Sequence, residues 1–262
     1  MKKLNFIIKC GLALLLLSFY SCESWLNVTP SDRLSEEMLF NDREGFVKAL
    51  NGVYIELNTN ELYGRNLTAG ALDVMGQYYS VASSSHAFYN YGGLVYTGND
   101  EKALFDNMWQ KCYAVIACCN TIIEKCDENK AGLSPVWRGS IKGEALALRA
   151  MLHFDMLRLF GPLTSELDKE SIPYQTNSDQ TVTPLLSGSE VVGLILDDLK
   201  NAVGLLKDTD PYFVEEEFSD TDLNYRRFRM NYFAAKGLMA RVQLWGGDKE
   251  KAAATGKEGI GE

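Results

Sequence analysis

Histidine is almost missing from this chain: His86 and His153 are the two in 262 residues. Neither stands beside a Ser or Cys nucleophile motif, so a histidine-assisted nucleophile has nothing to build on. Basic residues are also scarce, with 26 Lys and Arg against 35 Asp and Glu and a formal charge of −9. No basic tract occurs, and nucleic acid is bound mainly through Lys and Arg that displace counterions, so the sequence excludes a nucleic-acid partner. Long apolar runs are absent too. A bilayer-spanning helix needs about 20 apolar residues, whereas the run from Cys10 to Phe19 is half that and is broken by Gly11 and Ser18.

Of the six cysteines, Cys112, Cys118, Cys119 and Cys126 crowd into one helical stretch, with no Cys-x-x-Cys pair and no nearby histidine. That pattern argues against a zinc site and for small apolar packing residues. No metal or other cofactor is expected.

What is present begins at the N-terminus. Lys2, Lys3 and Lys9 precede the short apolar run, and small Ser21 precedes Cys22. Basic, apolar and small segments in that order make a secretory signal over residues 1–21. Removing it takes away three lysines and no acid, leaving a charge of −12 on residues 22–262. Cys22 would then head the mature chain, where a diacylglyceryl thioether gives firm anchorage that one acyl chain alone does not. Tyr20 is bulkier than that processing pattern favours. The competing readings are an uncleaved anchor or a plain secreted chain with an incidental thiol.

Beyond Pro30 the pattern is helical nearly throughout. Ser35 can cap a turn starting SEEMLF. From Arg43 to Leu57, the residues Phe46, Val47, Leu50, Val53, Tyr54 and Leu57 follow helical spacing. Lys102–Glu128 repeats it with Leu104, Met108, Cys112, Val115, Cys119 and Ile122. A third helix, from about Pro135 to Phe160, stops at Gly161-Pro162. Residues 163–187 read as a polar connector, Ser189 opens a helix through Leu206, and 208–224 is an acidic loop whose Glu215-Glu216-Glu217 run is a solvated face. The final stretch from Met230 carries Met239, Ala240, Gly247, Asp248 and Ala252 at the spacing of a tetratricopeptide helix pair, although Lys236 and Gln243 occupy the consensus aromatic positions. The fold class is therefore mainly all-α, with tetratricopeptide-like repeats and long loops.

The pattern breaks between Asp73 and Asp100. Four Gly and four Ser lie among six Tyr or Phe there, with no helical period. It reads as a long loop with room for a short hairpin; its aromatics argue against disorder, and loops this long in compact domains are commonly functional. Sugar rings lay C–H faces on aromatic rings while their hydroxyls take polar partners. The candidate ligand residues are Asp73, Gln77, Tyr78, Tyr79, Phe88, Tyr89, Asn90, Tyr91 and Tyr96. The competing reading is that these rings plug the loop onto the core.

Several blocks in order carry a family resemblance: CESWLNVTPSDRLSEEMLF followed by FVKALNGVYIEL, then WQKCYAVIACCNTII, IKGEALALRAMLHFDMLRLFG and RMNYFAAKGLMARVQLWGGDKEKA. The chain resembles the N-terminal part of the SusD/RagB outer-membrane lipoproteins, whose usual second part is not represented in these residues. The resemblance implies a cell-surface lipoprotein, lipid-anchored in the outer membrane through Cys22, that captures a glycan or peptide. It would pass that oligosaccharide or peptide to a SusC-like TonB-dependent transporter. No reaction is implied, and Glu144 and Arg149, inside a matching block, are expected to fix helix packing. The alternatives are a helical-repeat envelope scaffold or an inactive remnant of such a protein.

Overall fold

The computed structural model describes residues 36–179, 181–214 and 218–260. The signal segment, Cys22, Ser35 and the Glu215–Glu217 run lie outside the described residues. The chain divides into two units, 1–38 and 39–262. Of the first, only residues at the start of the helical turn Glu36–Leu39 are described.

In the second unit, helix α1 (Arg43–Leu57) begins where the Asp42 carboxylate accepts the Gly45 N–H at 2.8 Å, relieving an N–H that has no partner inside the helix. Its buried stripe is Phe46, Leu50, Val53 and Leu57. Helix α2 (Asn99–Glu128) starts three residues before Lys102, with Asp100 and Glu101 at the positive end of its dipole. It ends on Asn129, a left-handed residue (φ 45°) whose side chain holds the Leu133 N–H at 2.8 Å. Ser134 and Pro135 then open α3 (Pro135–Phe160), and Gly161 closes it.

Helix α3 is the axis of the unit. It is buried on every side, including at Glu144, Arg149 and His153, which is what a helix surrounded by other helices shows. Helix α4 (Gly188–Thr209) lies along it most extensively, and α1, α2 and α6 (Tyr232–Trp245) also pack on it. A capping box at Ser187 and Glu190 starts α4 one residue ahead of the expected Ser189. Leu194 of its apolar stripe faces outward.

The connector before α4 holds a two-stranded antiparallel ribbon, β1 (Glu170–Pro173) with β2 (Leu185–Ser187), which carries Ile172 into the core. Helix α5 (Asp220–Arg226) occupies the end of what reads as an acidic loop. Helix α7 (Lys249–Ile260) follows α6 across Gly246-Gly247-Asp248 and packs on it. Gly247 has φ +92°, a backbone region closed to side chains, and Asp248 takes the Lys251 N–H at 3.0 Å to start the next helix. At the two positions lacking the repeat consensus, Lys236 is buried against Glu258 and Gln243 is buried about two turns further along α6. Among the described residues no helix is long and apolar enough to cross a membrane.

Candidate functional site

Residues 71–98 form no hairpin. Two single helical turns, Ala71–Met75 and Tyr89–Gly92, are joined by extended and bent chain. Left-handed backbone at Gln77 (φ 59°) and Leu94 (φ 55°) bends the chain at both ends. Non-glycine residues in this region store strain that the surroundings must hold. Part of that hold is visible: the Gln77 amide donates to Gly92 O at 3.0 Å and to Val74 O at 3.2 Å.

The loop's aromatic residues divide into two sets. Tyr91 is 2% exposed and packs edge-on against Phe88 and Phe105, with centroids 5.8 and 6.0 Å apart. Burial, then the charge of Glu101, pushes its phenol up to about 12. Tyr96 also meets Phe105 edge-to-face at 5.4 Å. From Phe105 the ring contacts continue through Phe160, Trp109, Tyr113 and His153 to Tyr174. This ladder ties the loop to the centre of the helical core. The interior rings of Tyr91, Phe88 and Tyr96 are thus packing groups.

The outward set is Tyr78, 83% exposed, with Tyr79 and Tyr89. Tyr79 is oriented by its hydroxyl, which donates to Ala69 O. Tyr79, Tyr89, Gln77 and Asn90 line a shallow recess of about 340 Å³. The Asn90 amide donates to Glu101 at 2.7 Å, which fixes its carbonyl oxygen. Asp73 is half-buried in the first helical turn. The arrangement sets outward aromatic faces, with the Tyr79 ring oriented, beside fixed amides.

Two buried polar clusters lie deeper, and neither partner set is apparent from sequence spacing. In the first, Arg149 grips Asp198 with two bonds of 2.7 Å and donates to Asn120 at 2.9 Å. Tyr174 adds a 2.6 Å bond to Asp198. His153 Nε2 accepts the Gln175 N–H at 3.0 Å, so Nδ1 carries the proton and donates to Arg149 O at 3.0 Å. Burial lowers this imidazole to about 3.

In the second cluster, Glu144 accepts from Tyr54, Arg226 and, at 2.8 Å, Arg229. Asp210 takes two bonds from Arg226, at 3.0 and 2.6 Å. Burial opposes the Arg226 charge, yet Glu144 and Asp210 hold its pKa above the ordinary value. Every ionised group here has a partner, the condition for keeping buried charge. Both clusters tie helices and loops together through paired charges, and among the described residues no group of His, Cys, Asp and Glu could hold a metal.

Residues 24–244 match a family model described as "Starch-binding associating with outer membrane". The SusD-like protein P2 of Formosa agariphila is 25% identical over 258 residues, covering 96% of this chain and 44% of that protein. A SusD-like carbohydrate binding protein from Bacteroides vulgatus superposes with a TM-score of 0.67 at 23% identity, over 84% of this chain and 45% of that one. A laminarin binding SusD-like protein gives a TM-score of 0.62 at 17% identity, over 84% of this chain and 44% of its own. These structural likenesses speak for the fold. The chain spans less than half the length of each of these proteins. The match covers most of the helical unit, and the chain belongs to the SusD-like family.

Proposed function

We propose that this protein is a lipid-anchored, cell-surface glycan-binding protein that delivers its ligand to a SusC-like TonB-dependent outer-membrane transporter. The observation that carries binding is the outward set Tyr78, Tyr79 and Tyr89, standing on a loop that Tyr91 fixes to the core. The Tyr79 ring, oriented through its hydroxyl, need not be ordered by the ligand, and the adjacent amides of Gln77 and Asn90 suit hydroxyls. Asp73, Phe88, Tyr91 and Tyr96 contribute by shaping the loop. Membership in a family described as starch-binding and outer-membrane-associated supports the same reading. The anchor is Cys22, after loss of residues 1–21, and the ligand is an oligosaccharide in preference to a peptide because the recess carries aromatic and amide groups without an unpaired charge.

The test of binding is affinity electrophoresis and calorimetry of the full chain against starch, laminarin and peptide digests. Replacing Tyr78, Tyr79 and Tyr89 together by Ala is expected to abolish retention by at least one glycan; unchanged retention refutes the site. For the anchor, Cys22→Ala should abolish incorporation of labelled palmitate and release the protein from the membrane fraction. Co-purification with a TonB-dependent transporter checks the partner.

A further inference from the structure

A recess of about 470 Å³ lies apart from the tyrosine loop, between α1, α3 and α5. Pockets that hold small molecules span about 300–1,000 Å³ and combine apolar walls with a few converging polar groups. Here Trp137 forms part of the wall, and Tyr225 and Phe228, 63% and 71% exposed, stand at its mouth. Both flank Arg226, which the Glu144 and Asp210 carboxylates lock in place. The mouth is therefore anchored from beneath.

Three polar groups line this space with capacity to spare. Ser140 is 5% exposed, and its hydroxyl has no hydrogen-bond partner among the described residues. The hydroxyl faces the recess, where it is free to meet water or a ligand hydroxyl. Asn51 accepts from Arg229 Nη1 at 2.8 Å through its Oδ1, which aims the amide and leaves its N–H groups open. Arg229 uses Nε and Nη1 on Glu144 and Asn51, leaving Nη2. Both lining cations are paired, Arg226 with Glu144 and Asp210 and Arg229 with Glu144, so neither calls for an anionic ligand; the remaining lining carboxylate, Asp222, is committed to the Ser219 cap of α5.

From these features we infer a second ligand site, distinct from the tyrosine loop, that takes one neutral sugar ring. The ring's C–H face rests on Tyr225 and Phe228, and its hydroxyls meet Ser140, Asn51 and Arg229. This reading does not depend on the tyrosine loop binding anything. A site of this kind would retain a glycan end while the loop holds another part of the chain, or would take a free monosaccharide.

The experiment uses the full chain carrying Tyr78→Ala, Tyr79→Ala and Tyr89→Ala, so that the loop is silent. It is titrated by calorimetry and ligand-detected NMR with D-glucose, maltotriose, laminaritriose and, as an apolar control, N-acetyl-leucinamide. At least one sugar is expected to bind. Binding of glucose identifies a single-ring site open to free sugar, and binding of the trisaccharides alone identifies a site for chain ends. Adding Tyr225→Ala and Phe228→Ala should weaken that sugar about tenfold or more. Ser140→Ala should weaken it about fivefold. Because the Ser140 hydroxyl has no partner, this variant should leave the unfolding midpoint unchanged, a combination that a purely structural role would not give. The inference is overturned if no sugar binds, if affinity survives Tyr225→Ala and Phe228→Ala, or if the leucine derivative alone binds.

Discussion

The imidazole of His153 stacks on the phenol ring of Tyr174, with 3.9 Å between centroids and planes 21° apart. The stack closes the aromatic ladder at the point where Arg149 and Asp198 pair. It also ties part of the protein's acid stability to one buried imidazole. The fold holds His153 neutral down to about pH 3, whereas the unfolded chain takes up a proton near pH 6.5. Stability is therefore complete above that pH and falls as the pH drops through it, by up to about 1.4 kcal/mol per pH unit. Denaturant midpoints at pH 7.5, 6.5 and 5.5 should show this slope in the native chain and a flatter one in His153→Gln. Equal slopes would show that another group is responsible, and His86 is present in both.

Removing one partner from the second buried cluster should cost far more than a surface ion pair. Glu144→Ala leaves Arg226 and Arg229 facing each other without their shared carboxylate and frees the Tyr54 hydroxyl. The expected loss is about 3–5 kcal/mol. By contrast, Lys48→Ala, which breaks the exposed pair with Glu44, should leave the unfolding midpoint almost unchanged. Urea unfolding of the two variants makes the comparison.

These contrasts mark what sequence pattern carries. The periods of α1 and α3 and the Gly161-Pro162 stop are local features, so they are readable within one stretch of chain. The clusters are not: Arg226 meets Glu144 across 82 positions, and both residues look like ordinary helical charges in isolation. Strands β1 and β2 are too short to show alternation. In the loop, Tyr89 and Tyr91 are two positions apart and chemically identical, yet one faces water and the other the core. Only the packed structure separates them, because no regular period runs through the segment.

That separation has a measurable consequence. Tyr91→Ala removes a ring buried among Phe88, Tyr96 and Phe105 and should lower stability by about 3–5 kcal/mol. Tyr78→Ala removes an exposed ring and should stay within about 0.5 kcal/mol. Thermal unfolding followed by far-ultraviolet circular dichroism distinguishes them; a large loss for Tyr78 would mean that it packs rather than presents its ring.

Helices α3 and α4 come close enough that side-chain volume at α3 becomes decisive. A Cβ on Gly143 would sit 2.8 Å from Leu206 Cγ and 3.2 Å from the Ala202 carbonyl oxygen. Leu206 is fully buried, so it has no solvent into which to turn. Gly143→Ala should therefore overpack the interface and cost about 1–3 kcal/mol, even though alanine is the better helix former. Gly204, on α4, has nothing within 4 Å of the same position and faces solvent. There the backbone effect acts alone, and Gly204→Ala should raise stability by about 0.5–1 kcal/mol. The opposite signs of one chemical change, read as two unfolding midpoints, test the closeness of this helix pair directly, and a gain at both positions would mean that the helices stand further apart.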